Sequence, residues 1–205
     1  MLLYHITSYK NIYGIISKGG LVAKNLLHDA RYESIAYENI QDRRHHFNIP
    51  FYPNETLHDY VPFHFAPRSP MLYTIKNGNV QTYNGTQREL IYLVAESDNI
   101  VNEGYKCVFT DGHPIMRLSK FYSDYSYLEV AVDSQIMQAR YWADTEDDND
   151  RKRRRQAEFL VYHKLCLGDI LYIAVYDSKM QDYMGNVMDE YNIQLDVVMR
   201  PEWYY

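Results

Sequence analysis

Hydrophobic and polar positions follow two periods along this chain, and the changes of period mark its elements. Leu2-Leu3-Tyr4-His5-Ile6-Thr7 is a short strand-like run. Ile12, Ile15 and Ile16 then share one face of a helix, with Gly19-Gly20 as its stop signal. Residues 34–44 are expected to form a second helix or helical turn that ends in Gln41-Asp42-Arg43-Arg44. The stretch 45–70, rich in histidine, proline and aromatics, reads as an ordered loop around a short strand. Strands follow over Glu89–Val94 and Tyr105–Phe109, and Thr110-Asp111-Gly112-His113-Pro114 is turn chemistry. A short helix is expected over 133–142, capped by Asp133 or Ser134. Asp144–Asp150 is acidic, Arg151–Arg155 is basic throughout, and an apolar strand runs from Glu158 to Tyr162. Asp169–Tyr176 reads as a buried strand and Ile193–Met199 as a closing one. Between them Met180, Tyr183, Met184, Val187, Met188 and Tyr191 repeat at three and four, which makes 178–191 the cleanest helix. Strands and helices are mixed without strict alternation, so the expected class is α+β rather than a doubly wound sheet.

A chain of 205 residues fits one domain spanning 1–205. No apolar stretch approaches the ~18 residues of a membrane span. Met1–Lys10 has no basic region followed by an apolar core, so no secretory signal is read and a cytoplasmic protein is expected. Cys107 and Cys166 form no CxxC pair, which argues against a disulfide framework or structural zinc. His45, His46, His58 and His64 cluster without HExxH or comparable spacing, so no metal is expected. GxGxxG and GxxxxGK[ST] are both missing. The net charge of −6 argues against wholesale wrapping by nucleic acid but leaves room for a local basic groove. The 22 tyrosines are unusual, since this side chain stacks on bases and sugars and still donates a hydrogen bond.

Three segments carry candidate chemistry: His5-Ile6-Thr7, Ile40-Gln41-Asp42-Arg43 and Arg154-Arg155-Gln156-Ala157-Glu158. Each has a plain structural reading. Histidines commonly pack or cap, paired arginines complement a helix dipole, and a glutamate after a basic run commonly forms a solvated ion pair. Glu158 departs from that default because it stands where the basic run turns into an apolar strand. A carboxylate part-buried beside Phe159 and Val161 is costly unless it has a partner or a chemical task.

Four blocks make the chain recognisable. They are Asp59-Tyr60-Val61-Pro62-Phe63-His64-Phe65-Ala66-Pro67-Arg68-Ser69-Pro70-Met71-Leu72, the strand Glu89–Val94, the turn Phe109-Thr110-Asp111-Gly112-His113, and Gln156-Ala157-Glu158. In order and spacing they resemble the DarT family of DNA ADP-ribosyltransferase toxins along almost the whole length. The resemblance implies an ADP-ribosyltransferase fold with a split central β-sheet around an NAD cleft, NAD being consumed as substrate. It implies Glu158 as the catalytic glutamate, at the end of the loop that recognises the acceptor. Its carboxylate would face the charge that develops on the ribose as the nicotinamide bond breaks, a contribution of about 3–4 kcal/mol for one well-placed group. His5, Ile6 and Thr7 would line the NAD site, with Gly14 letting the chain approach it. The segment 34–45 would fold over NAD through Ile40 and Arg43, and Arg43 would be the essential arginine, with Arg44 next to it as the other choice. Because a guanidinium stays protonated, its role would be to bind the pyrophosphate or to stabilise an ionised base. Members of the family vary at the position of Arg68, which is therefore not assigned a catalytic role.

For Arg151–Arg155 two readings stand: a loop whose charges answer the neighbouring acidic stretch, or a phosphate clamp on the acceptor strand. Under the second, His113, Arg153, Arg154 and Arg155 contact DNA. The resemblance further implies single-stranded DNA as substrate, a thymidine as the modified nucleotide, and a macrodomain antitoxin as partner. Rival functions are the same fold acting on protein or on water, and a nucleic-acid-binding module that needs no Glu158. Truncation of Glu158, following a charged loop, is expected to leave the fold intact.

Overall fold

The structure, a computed structural model, describes residues 1–27 and 32–205. β1 (Leu2–Ser8) leads into α1 (Ile12–Ser17), anchored by the fully buried Ile12. β2 (Gly20–Val22) begins at a residue with φ +146°, where a Cβ would stand 2.1 Å from the Leu165 carbonyl oxygen. Only glycine allows β2 to pair there.

α2 (Glu38–His46) begins four residues later than the pattern suggests. The reason lies in 32–37, which β1 and α1 hold outside the helix. The Glu33 amide donates to Asn11 Oδ1 at 2.8 Å, Asn11 Nδ2 returns a bond to the Glu33 carbonyl, and Ser8 and Lys10 hold the Glu33 carboxylate. The 45–70 stretch contains more strand than expected: a hairpin of β3 (Asn48–Ile49) and β4 (Tyr52–Thr56), then β5 (Tyr60–His64). α3 (Pro70–Lys76) follows, unmarked by periodicity but announced by Ser69, whose hydroxyl accepts from the Leu72 amide, and by proline at its first turn.

β6 (Leu90–Glu96) is buried along nearly its whole length and runs into α4 (Ser97–Asn102). Next come β7 (Cys107–Thr110), β8 (Phe121–Tyr122), α5 (Leu128–Ala131) and α6 (Ser134–Gln138). Asp133 caps α6 by accepting from the Gln135 and Ile136 amides, but the helix stops well short of residue 142. α7 (Arg151–Arg154) precedes β9 (Glu158–Tyr162), and β10 (Lys164–Cys166), β11 (Tyr172–Val175), α8 (Ser178–Glu190) and β12 (Val197–Met199) complete the order.

Eight strands form one sheet in the order β12-β11-β6-β1-β5-β9-β7-β8, in a mixed α+β architecture. All neighbours are antiparallel except β11 and β12. β1 pairs with β6 over seven residues but with β5 only through Tyr4 and His64. The sheet is split at that point. One face packs Phe63, Phe159, Ile91 and Leu93 against Ile12 of α1 and Met184, Val187 and Met188 of α8. The other face carries two separate clusters. Ile6, Tyr92, Leu72 and Tyr204 pack on one side of the split, and Tyr60, Leu160, Val108 and Ile49 on the other, with Ile40 and Phe47 against them. Strand alternation places His64 and Glu158 on this second face, between the two clusters.

Candidate active site

Glu158 opens β9 directly opposite His64 of β5, so the two side chains are neighbours on one face. The Glu158 amide donates to Thr110 Oγ1 at 3.0 Å, and that hydroxyl donates to the Gly112 carbonyl at 2.7 Å. Thr110 thus fixes where β9 begins relative to the turn that carries His113. The Glu158 carboxylate is 5% exposed and meets Arg44 of α2, which is 6% exposed. Arg44 Nη1 lies 2.9 Å from both carboxylate oxygens. A buried carboxylate is affordable here because a buried cation answers it.

Arg43, one position earlier, points elsewhere. Its side chain is outside this pair and Nη2 donates to the Ile115 carbonyl at 3.1 Å, in the stretch that follows His113. The two arginines of α2 therefore divide the work, Arg44 facing Glu158 and Arg43 holding the 111–119 turn. Ile40 packs beneath α2.

Two buried polar atoms around Glu158, Arg44 Nη2 and His64 Nδ1, have no partner among the described residues. Unpaired buried polar atoms are rare in folded proteins and call for an explanation. A ligand with hydroxyls and carbonyls, such as a nicotinamide riboside or a nucleobase, satisfies both kinds of atom, so the residues present fit NAD. His5 is turned to the opposite face of β1 from Tyr4 and Ile6, with its ring beside Phe63 and Nδ1 2.8 Å from the Pro62 carbonyl. A carbonyl only accepts, so Nδ1 carries the proton and Nε2 is left as an acceptor. The Ile6 side chain belongs to the core, and Thr7 Oγ1 accepts from Asn11. A Cβ on Gly14 would meet nothing within 4 Å, so the space beside α1 is open at that point.

Histidine titration gives the site a pH signature. Burial above all lowers the pKa of His5, His64 and His113 to about 4, reinforced at His64 by Arg44 and Arg155 and opposed at His113 by Glu158. Burial and Lys24 lower His58 to about 3. Below pH 6.5 the unfolded chain takes protons that the folded chain refuses, so stability is full above 6.5 and falls progressively towards pH 4. Melting temperatures across pH 4 to 8 should therefore drop on the acid side of 6.5; a flat profile there would contradict burial of these rings.

Arg153, Arg154 and Arg155, expected on the acceptor strand, are turned inward. Arg153 donates to both Asp150 carboxylate oxygens at 2.7 Å and to Asp111 at 2.8 Å. Gly112 makes room for it, since a Cβ there would stand 2.3 Å from the pinned Nη1. Arg154 pairs with Asp133 and Asp148. Arg155 is 3% exposed and spends its N–H groups on the carbonyls of Arg68, Ile136, Met137 and Ala139. The basic run answers the acidic stretch and the loop backbone, and this favours the first of the two readings. Replacing Arg153–Arg155 with serine should accordingly lower the melting temperature and abolish all NAD-dependent activity together, measured by calorimetry and nicotinamide release, rather than weaken DNA use alone.

His64, Thr110 and the inward phase of Arg44 escape the sequence reading. Alternation back from Tyr60 and Tyr162 places His64 and Glu158 on defined strand faces, but their direct opposition depends on a register that no local pattern encodes.

A split sheet whose cleft face holds a buried, cation-paired glutamate at the start of a strand, beneath a helix, is the arrangement of an NAD-splitting ADP-ribosyltransferase. Comparison with known proteins sharpens that class. Residues 4–205 match the family profile described as "ssDNA thymidine ADP-ribosyltransferase, DarT", and the chain belongs to this family. The DNA ADP-ribosyl transferase of Thermus sp. (strain 2.9) is 37% identical over 205 residues, covering 99% of this chain and 95% of that protein. The structure of Thermus sp. 2.9 DarT in complex with ADP-ribosylated ssDNA aligns over 100% of this chain and 96% of that one, with TM-score 0.92 and 36% identity. The same enzyme in complex with NAD+ aligns with TM-score 0.86 and 33% identity, over 100% and 97% of the two chains. The chain is thus an ADP-ribosyltransferase that uses NAD. No helix among the described residues is long and apolar enough to cross a membrane.

Proposed function

We propose that this chain transfers ADP-ribose from NAD to a thymidine of single-stranded DNA, with Glu158 and Arg44 as its central pair. The observation that carries this reading is the buried Arg44–Glu158 contact at the split of the sheet, with unpartnered Arg44 Nη2 and His64 Nδ1 beside it. NAD supplies an activated ribose: its bond to nicotinamide breaks, the electron pair leaves with nicotinamide, and positive charge grows on the sugar. Glu158 opposes that charge and accepts from a ribose hydroxyl, within an environment fixed before the substrate arrives. Arg44 holds the carboxylate in place. Its free Nη2 donates to the base as the ring nitrogen releases its proton to water and bonds to the ribose carbon, because a guanidinium cannot itself take that proton. His5, through Nε2, and the open side of α1 at Gly14 line the donor side. His113, in the turn tied by Thr110 to Glu158, lies on the acceptor side.

A base nitrogen is out of reach inside a paired duplex, and a molecule of net charge −6 has little general attraction for one. A strand that arrives unpaired is the accessible substrate. Its toxicity to the producing cell would require a macrodomain antitoxin that removes the mark, and a cytoplasmic site of action; the family resemblance supports both. The test is labelled NAD with single-stranded DNA, duplex DNA, RNA and cell protein in parallel reactions. Label on single-stranded DNA, weak on duplex and declining as salt rises, is expected. Label on protein alone overturns the DNA assignment.

A further inference from the structure

Arg68 and Arg155 flank the active site at the same end of two strands. Arg68 follows His64 by four residues, Arg155 precedes Glu158 by three, and His64 and Glu158 are paired. Four residues span at most roughly 14 Å, so both arginines stay close to the reacting centre. The ion pairs of the described residues engage Arg44, Arg153 and Arg154 but neither of these two. Arg155 is buried against carbonyls alone, and its charge reaches His64. Arg68 lies face-on over the Tyr205 ring at 4.4 Å, with Nε buried and unpartnered. Two adjacent cations without a counter-ion among the described residues stand out in a chain whose net charge is −6.

The floor beside Arg68 is aromatic. Tyr205 Oη accepts from Trp142 Nε1 at 2.6 Å, and Tyr73 meets both rings edge-on, at 6.0 and 5.2 Å between centroids. Tyr73 is 45% exposed, and Lys76 Nζ stands 5.8 Å from its ring. An exposed ring supported from behind, next to an unneutralised guanidinium, is the chemistry that holds one nucleotide of a single strand by stacking and a phosphate contact.

We propose that this surface is a subsite for the nucleotide flanking the modified thymidine, with its phosphate on Arg68 and its base on Tyr73. The assignment rests on the single-stranded DNA reading above. DNA is the occupant rather than the NAD phosphates because Trp142 and Arg155 lie on the chain that leads into Glu158, the loop that the family resemblance gives to the acceptor, and α3 and that loop build the subsite together.

Arg68→Gln and Tyr73→Ala separate the possibilities by steady-state kinetics on a thymidine-containing oligonucleotide. Each variant should raise KM for the oligonucleotide about tenfold or more, while kcat and KM for NAD stay within about twofold of wild type. Arg68→Gln alone should also flatten the dependence of log KM on log salt by about 0.7, the loss of one phosphate contact. Arg68→Lys, which keeps the charge, should retain the salt slope and serves as the reading if the glutamine variant fails to melt cooperatively. A rise in KM for NAD instead would hand the phosphate to the donor, and unchanged KM for both would leave Arg68 a stacking residue; either overturns the subsite. Failure of the wild-type protein to label any single-stranded DNA would sink the DNA reading itself, which is a different outcome.

Discussion

Glu158→Gln should reduce ADP-ribose transfer by about a hundredfold to a thousandfold, the scale of losing one preorganised electrostatic group at a developing charge. Nicotinamide release should fall with transfer, since the loss strikes bond breaking before the acceptor matters. Glu158→Ala differs in a second respect. It removes the carboxylate that pairs with buried Arg44, and breaking a buried ion pair from one side costs about 3–5 kcal/mol. The sequence led us to expect a benign truncation at the end of a charged loop; burial of both partners makes alanine a folding lesion as well. Thermal melts of the two variants beside activity assays separate the effects. A glutamine variant that is folded and keeps more than a few per cent of activity removes Glu158 from the mechanism.

Arg44→Ala should be as inactive as the glutamate variants, whereas Arg43→Ala should keep activity within roughly tenfold of wild type. Arg44 carries the charge that makes Glu158 tenable and the free Nη2 beside it. Arg43 gives up a neutral-acceptor hydrogen bond to Ile115, of the kind worth about 1.5–3 kcal/mol when the donor is charged and less where water competes. Arg44→Lys should rescue little, because one ammonium cannot both span two carboxylate oxygens and present a second donor in the same plane. Initial rates for the three variants decide the matter. Full activity in Arg44→Ala with a dead Arg43→Ala returns the essential role to the neighbour named by the sequence.

What the sequence could reveal tracks how local the determining physics is. α8 is legible because Met184, Val187 and Met188 repeat at helical spacing over one packed face, and β9 because its apolar run is bounded on both sides. α6 is not, because Arg155 draws the Ile136, Met137 and Ala139 carbonyls to itself and ends the helix early, an event decided by a residue sixteen or more positions away. Glu158 could be singled out from its position between a charged run and an apolar strand. The choice between Arg43 and Arg44 could not, because a helix that starts at Glu38 rather than residue 34 changes which side chain faces the sheet only through tertiary bonds to Glu33. The basic run offered the right complementarity of sign with 144–150, yet its partners Asp111 and Asp133 lie outside that stretch.

The pairing of strands distant in sequence also governs when this molecule becomes competent. Tyr4 joins Val94 and His64 joins Glu158, so the centre of the sheet closes loops of some ninety residues each. Topologies of such high contact order fold in milliseconds to seconds rather than microseconds. More consequentially, the glutamate arrives well after its partner: at synthesis rates of ~5–20 residues per second, roughly 6 to 23 seconds separate the addition of Arg44 from that of Glu158. Arg44 and Glu158 stand 114 positions apart, so no shorter stretch can contain both. A chain that ends before Glu158 is added lacks the Arg44–Glu158 contact altogether, whatever else of the sheet it has formed.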